Sequence, residues 1–477
     1  MRTTTLALSL LAAATLAACG GKDSTPPEPP VVVKPAPTNV IFFLGDGMGI
    51  ATTTAARIYS VGEDGELTMD TLPETGFVKT FSNDAQVTDS APSMSAYMTG
   101  VKMNNEVISM STDTLAKTPN ADFTSNCGTA NGTPVTTLLE LAKAAGRGTG
   151  VVTTTRVTHA TPAATYAHVC HRDAEADIAA AMVPAGKGYN TKLADGIDVV
   201  LGGGKQFFVT KDAGGKRADG RDLTAELKTA GYTVATDRAG FDAIDATKAV
   251  KFVGLFTSSH MSYDLDRDPA KEPSLAEMTV KAIQRLKQNE KGFFLMVEGG
   301  RIDHALHETT AKKALQDTVA FDNAIKAALD EMKKTDPTLK NTLVVVTADH
   351  DHTLVLNGYA KRTGKTSATN PGVLGLLRNY ADGSIAKDAD GKPFTIIGFG
   401  NGENRPAGNR STFTDLTDDV VFASTYHQEA AVRMGAGSET HGGTDVFIGA
   451  TGKSAETFGG FVENTAVFGL VKAAAGL

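Results

Sequence analysis

Unbroken apolar runs, rather than alternating ones, recur along this chain: NVIFFL (39–44), GTGVVTT (148–154), GIDVVL (196–201), GFFLMV (292–297) and NTLVVVT (341–347). A strand with one wet face alternates apolar and polar side chains. A run that is apolar at every position belongs to a strand covered on both faces. Between the last two runs lies ETTAKKALQDTVAFDNAIKAALDEMKK, whose Leu315, Val319, Ile325, Leu329 and Met332 fall on one broad helical face. Strand, helix, strand at this spacing is a βαβ crossover. The pattern predicts an α/β protein with a large, mainly parallel central sheet and helices on both faces. Two stretches break the rhythm. Residues 211–222 form a Gly- and charge-rich loop, and residues 357–425 carry few strong runs beyond FTIIGFG (394–400), which marks an inserted, loop-rich subdomain.

The 477 residues, 41% hydrophobic, suffice for one big α/β domain or two smaller ones. A net charge of −8, with no Lys/Arg cluster, argues against a nucleic-acid-binding surface. At the N-terminus Arg2 precedes LALSLLAAATLAAC, an apolar run too short for a permanent membrane span. It ends in Leu16-Ala17-Ala18-Cys19, which resembles the lipobox of bacterial lipoproteins. That resemblance implies a signal peptide over 1–18 and a lipid anchor on Cys19. Gly20 after the cysteine implies sorting to the outer membrane where the host has one. Residues 19–38 are a Pro-rich tether, and the main domain is expected over 39–477. The address is therefore extracytoplasmic, periplasmic or cell-surface. It permits a disulfide between Cys127 and Cys170, with two free thiols as the alternative.

Ligands of open α/β sheets gather beyond the carboxyl ends of the strands. NVIFFL leads to Asp46 between two glycines, and GTGVVTT leads to His159 and Thr161. GFFLMV leads to Glu298, Asp303 and His307; NTLVVVT leads to Asp349, His350, Asp351 and His352. Near the C-terminus ETHGGTD offers His441. Asp303 and His307, four residues apart, share one helical face, a spacing suited to chelating one metal. Asp349 and His350 are adjacent and need an irregular turn to converge. Six of the ten histidines sit in these segments, more than surface scatter explains. Carboxylate with imidazole favours zinc, and carboxylate with hydroxyl and water favours magnesium. In VTDSAPSMSAYMTG (87–100), Asp89 and Ser90 open a short helix with Pro92 in its first turn and Gly100 at its stop. A serine at the positive end of a helix is well placed to hold a phosphoryl group. No histidine lies near it in sequence, but a zinc ion on Ser90 Oγ would stabilise the alkoxide without one.

The motifs FLGDGMG, VTDSA, HATPAATYAHVCHR, LGGGKQFF, GFFLMVEGGRIDHALHE, TLVVVTADHDHT and SETHGGTDV, in that order, resemble the alkaline phosphatase family from Asn39 to the C-terminus. The resemblance implies hydrolysis of phosphate monoesters through a phosphoserine on Ser90, at a site of two zinc ions and one magnesium. By the same resemblance Asp303, His307 and His441 are ligands of the first zinc, and Asp46, Asp349 and His350 of the second. Asp46, Thr161 and Glu298 match the magnesium site, Arg172 grips phosphate, and Asp89 positions that arginine. His159 and His304 match the vertebrate branch. His159 either contacts the third metal indirectly, shifts that site toward another divalent metal, or bonds ordered water. His352 is expected to orient a ligand rather than bind metal. His168, His171, His260 and His427 are read as structural or surface residues. The 357–425 segment resembles the family's variable crown insertion, and the family also implies a homodimer. A diesterase or sulfatase of the same superfamily, and a non-catalytic, metal-stabilised surface lipoprotein, are the rival readings. GATGKS (449–454) and RTGKTS (362–367) lack the first glycine of a phosphate loop, where Phe447 and Tyr359 stand.

Overall fold

The computed structural model describes residues 38–405 and 407–477. The signal peptide expected over 1–18, Cys19, and all but the last residue of the tether lie outside the described residues. The main sheet has ten strands: β1 (Asn39–Gly45), β2 (Glu74–Lys79), β3 (Gly148–Arg156), β4 (Val199–Gly203), β5 (Thr233–Ala235), β6 (Phe252–Leu255), β7 (Phe293–Gly299), β8 (Thr342–Ala348), β9 (Val446–Gly452) and β10 (Gly460–Glu463). Their spatial order is β10-β2-β9-β8-β1-β7-β3-β4-β6-β5, and only β9 runs antiparallel to its neighbours. The continuous apolar runs have their expected meaning: β1, β7 and β8 are buried at every position.

Adjacent residues of β1 show why its central positions are apolar on both faces. Phe42 packs on Tyr97 of the helix Ser90–Thr99, with ring centroids 5.6 Å apart. Phe43, pointing the other way, meets Phe321 of the helix Ala311–Lys333 edge-on at 5.8 Å. Successive side chains of a strand face opposite sides, so these two contacts put helices on both faces of the sheet. On the long helix Leu315, Ile325, Leu329 and Met332 are buried as expected, whereas Val319 is half-exposed and Phe321 fills the core beside it.

Within the loop-rich stretch 357–425 the strand Ile397–Gly402 pairs with Leu354–Leu356 and Ala430–Arg433, which flank the stretch, to form a three-stranded sheet. The strand expected from residue 394 starts at Ile397, where Leu354–Leu356 lies alongside it. Upstream residues pair only through single bridges, Thr395 with Leu376 and Pro393 with Lys387. Cys127 and Cys170 are joined as a disulfide.

Candidate metal and phosphate site

Four neighbouring parallel strands, β8, β1, β7 and β3, bring their carboxyl ends into line, with Gly45 level with both Gly299 and Ala348, and Thr153 level with Glu298. Residues far apart in sequence thereby become neighbours. Asp46 leaves the end of β1, and Glu298 is the penultimate residue of β7. Asp303 and His307 ride on the following helix, Arg301–His307, and Asp349 and His350 follow β8. Gly47 makes the turn after Asp46 with φ +65°, and a Cβ there would lie 2.5 Å from the His352 ring. Glycine is required on both counts.

Asp349 and His350 sit where β8 has ended and before the short ribbon that pairs Asp351–His352 with His441–Gly442. The irregular backbone turns both side chains to one place. The His350 Nε2 atom lies 3.4 Å from Asp46 Oδ1 and 3.5 Å from Asp349 Oδ2. The Asp303 Oδ1 atom lies 3.3 Å from His307 Nε2 and 3.5 Å from His441 Nε2, and the two imidazole nitrogens are 3.2 Å apart. Potential ligand atoms of Asp46, His159 and Glu298 likewise fall within 4.8 Å of one another. Thr161 is fully buried in the turn after β3, and its hydroxyl has no partner among the described residues.

Ser90 opens its helix over this cluster, and its Oγ lies 3.3 Å from Asp46 Oδ1 and 3.2 Å from His350 Nε2. The helix is moored to the end of β8 by Ser93 Oγ, which donates to Asp349 O at 2.7 Å, and by Tyr97 OH, which donates to Ala348 O at 2.8 Å. Asp89 is the cap: its Oδ1 accepts from Ala91 N at 2.7 Å. The same carboxylate accepts from the Glu106 amide and, at 3.0 Å, from Arg172 Nη1. Arg172 Nη2 reaches His159 Nε2 at 3.1 Å. Every site residue expected from the sequence is therefore brought to one place.

Several participants were not legible in the sequence. Thr153 and Thr155 hydroxyls both donate to Glu298 Oε2. Glu439 is buried and accepts from the backbone N–H and hydroxyl of Thr353. His352 lies between two carboxylates, with Nε2 2.8 Å from Asp303 Oδ1 and Nδ1 2.5 Å from Glu439 Oε2. Burial opposes its charge, but Glu439 and Asp303 push its pKa up to about 10, so the two carboxylates favour a positively charged ring between them. His352 thereby links Asp303 to Glu439. His260 packs among the site histidines, its ring centroid 4.2 Å from that of His304 and 5.3 Å from that of His159.

Burial raises Asp46 well above the usual carboxylate range, and the neighbouring Asp349, Asp303 and Glu298 push further in the same direction. Burial also raises Glu298, to about 7, with Thr153 opposing and Asp349 adding to the rise. Asp303 goes the other way: burial raises it, but His307 and His352 hold it well below the usual range. Asp46 Oδ2, Asp349 Oδ2, Glu298 Oε1 and Thr161 Oγ1 have no well-formed hydrogen bond among the described residues. Acceptors this deep are ordinarily satisfied, so a donor set of carboxylates, imidazoles and hydroxyls with open lone pairs fits divalent cations.

Just beyond His307, Thr309 adopts φ +55°. A β-branched side chain is strained there, and its buried hydroxyl is also without a partner. Relief of strain and of the orphan hydroxyl outweighs the lost methyl burial. Thr309→Gly is therefore expected to stabilise the fold by about 1 kcal/mol, read as a rise in denaturation midpoint.

A mainly parallel sheet with carboxylate and imidazole clusters beyond four adjacent strand ends, beneath a helix-opening serine and a clamped arginine, defines a metal-dependent phosphoryl hydrolase. The family model described as alkaline phosphatase matches residues 37–477, and the chain belongs to that family. It is 38% identical over 453 residues to the alkaline phosphatase of Gadus morhua, covering 89% of each chain. To the tissue-nonspecific isozyme of Homo sapiens it is 37% identical over 461 residues, covering 90% of this chain and 82% of the human one. Among solved structures, the Thermus thermophilus alkaline phosphatase superposes with TM-score 0.65 at 25% identity, over 93% of this chain and 92% of that one. A histidine-to-glutamate variant of the TAB5 alkaline phosphatase, with Mg bound in the M3 site, gives 0.63 at 25% identity, over 92% and 98%. The protein is an enzyme that hydrolyses phosphate monoesters, and the family's chemistry rests on divalent metals.

Proposed function

We propose that hydrolysis proceeds through a phosphoserine on Ser90, with Arg172 and Asp89 as the phosphate clamp and two zinc ions and one magnesium in the clusters around them. The carrying observation is the set of buried oxygens on Asp46, Asp349, Glu298 and Thr161 left without a well-formed hydrogen bond among the described residues. An ionised carboxylate left so costs several kcal/mol, and a bound cation offsets it. Asp303, His307 and His441 would hold one zinc, Asp46, Asp349 and His350 the other, and Asp46, Thr161 and Glu298 the magnesium. When bound, these ions draw charge from the serine hydroxyl and from the departing ester oxygen.

Ser90 Oγ forms the bond to phosphorus as the ester oxygen leaves on the opposite side. Water then displaces Ser90 from the phosphoserine, so two inversions give net retention at phosphorus. Arg172 receives the phosphate oxygens with the N–H groups left free by Asp89 and His159, a planar fork that lysine does not reproduce. Because His159 Nε2 accepts from Arg172, the proton of that ring belongs on Nδ1, which has no partner. His159 would then turn an N–H rather than a lone pair toward the group it forms with Asp46 and Glu298, and would help hold a third metal by orienting water rather than as a direct ligand.

The Cys127–Cys170 disulfide supports an oxidising, extracytoplasmic compartment, periplasmic or cell-surface, with the chain anchored through lipid on Cys19. A homodimer is supported by the exposed pair Phe77 and Phe461 at the sheet edge, stacked with centroids 5.1 Å apart. The reaction class is tested by comparing nitrophenyl phosphate with bis-nitrophenyl phosphate. A clamp built for a dianionic terminal phosphate predicts kcat/KM at least about a thousand-fold higher for the monoester. Faster diester turnover would overturn it in favour of a diesterase.

A further inference from the structure

Behind the phosphate clamp stands a triangle of imidazoles. The rings of His159, His260 and His304 meet edge-to-face, with centroids 5.3 Å (159 to 260), 5.4 Å (159 to 304) and 4.2 Å (260 to 304) apart. Each ring also meets an arginine. Arg172 Nη2 donates to His159 Nε2 at 3.1 Å, Arg301 Nη1 donates to His304 Nδ1 at 2.7 Å, and Arg156 Nη1 donates to His260 Nε2.

Of the three, His260 is held most firmly from outside the site. Its arginine is locked by a two-pronged pair to Glu175, with both N–O distances 2.8 Å, and Glu175 also accepts from Thr158 Oγ1 at 2.6 Å. The backbone on either side of His260 is tied to the sheet. Ser259 O accepts from Gly204 N at 2.8 Å, and Met261 N donates to Thr154 O at 3.0 Å. By contrast, His159 has no hydrogen-bond partner on its other nitrogen among the described residues, so within the protein its ring is oriented by Arg172 and by what packs against it.

We propose that His260 is a positioning residue for phosphate binding: its pinned ring fixes the imidazole of His159, and through it the guanidinium of Arg172. Asp89 holds one end of the Arg172 fork and His159 the other, so a loosened imidazole leaves the fork tethered at a single end. The inference rests on the reading of Arg172 as the phosphate clamp. Arg172 grips the phosphoryl oxygens alike in bound substrate and in the transition state, so loosening it weakens binding without slowing the bound complex.

The test uses the metal-loaded enzyme and inorganic phosphate as the probe. His260→Ala is expected to raise the phosphate inhibition constant, and the KM for nitrophenyl phosphate, about ten-fold while kcat stays within about two-fold. His260→Phe, which keeps an aromatic edge against both neighbours but gives Arg156 no acceptor, is expected to fall between His260→Ala and the unmodified enzyme. Should His260→Ala not fold, His260→Asn takes its place, since it offers Arg156 an acceptor but no ring. A ringless variant that binds phosphate normally, or a phenylalanine variant no better than the ringless one, would overturn the inference. Arg172→Ala separates the two levels. If it leaves phosphate binding intact, the clamp reading itself fails; if it weakens binding and His260→Ala does not, only the role of His260 fails.

Discussion

Ser90→Ala should lower kcat/KM by at least about four orders of magnitude while leaving fold and metal content nearly unchanged. The expectation separates nucleophile from helix cap, since both readings fit the sequence. The cap is Asp89, whose carboxylate accepts from Ala91 N, whereas the hydrogen bonds of the Ser90 hydroxyl among the described residues go to Asp46 and His350. Removing one oxygen therefore costs the helix little and takes away the atom that attacks phosphorus. Activity, zinc and magnesium content, and the melting temperature of the variant are the three measurements. Turnover within ten-fold of the unmodified enzyme would remove Ser90 from the mechanism, and collapse of the fold would return it to a structural role.

Stripping the metals with a chelator should abolish turnover and leave a protein whose stability falls as pH rises from about 7 to 9. In the metal-free fold Asp46 is raised well above the carboxylate range by burial and by Asp349, and Glu298 is raised to about 7. Both favour the folded state while protonated, so their contribution is complete below the ordinary carboxylate value and disappears as pH climbs through the folded one. His352, raised to about 10 by Glu439 and Asp303 against the effect of burial, works in the same direction. Its stabilising charge is present below its ordinary value and lost on the way to the raised one. Histidines held neutral by burial, such as His350 at about 3, have the opposite sign, but that effect is complete once pH exceeds the ordinary histidine value. By pH 7 most of the Glu298 effect is already spent, so the slope above 7 comes chiefly from His352 and from Asp317, which burial raises to about 8 outside the metal clusters. With metals restored, the carboxylates of the site are compensated and the slope should become shallower, the part owed to Asp317 remaining. Melting curves of chelated and reloaded protein decide it; parallel curves would mean that no metal occupies these carboxylates.

Much of the site was legible because local chemistry and local geometry coincide there. Asp303 and His307 needed only a helix to share a face, and the helix Arg301–His307 supplies it. Ser90 needed a helix start, which Asp89 and Pro92 signalled. The groups that were missed act across long stretches of chain. His260 meets His159 and His304 only because the loop after β6 lies over the end of β3. Glu439 matters through His352, with which it shares no sequence pattern. The strand near residue 394 began late because its pairing partner, not its own apolar content, set its start.

By itself the chain determined which segments are buried on both faces and which polar residues end them, since both are properties of contiguous runs. Backbone hydrogen bonding and burial act within such runs, so period and punctuation are readable one segment at a time. Only the tertiary structure decided the strand order that sets β8, β1, β7 and β3 side by side, and with it which carboxylates share a cation. Long-range pairing is settled by how whole faces pack, and no single run carries that information.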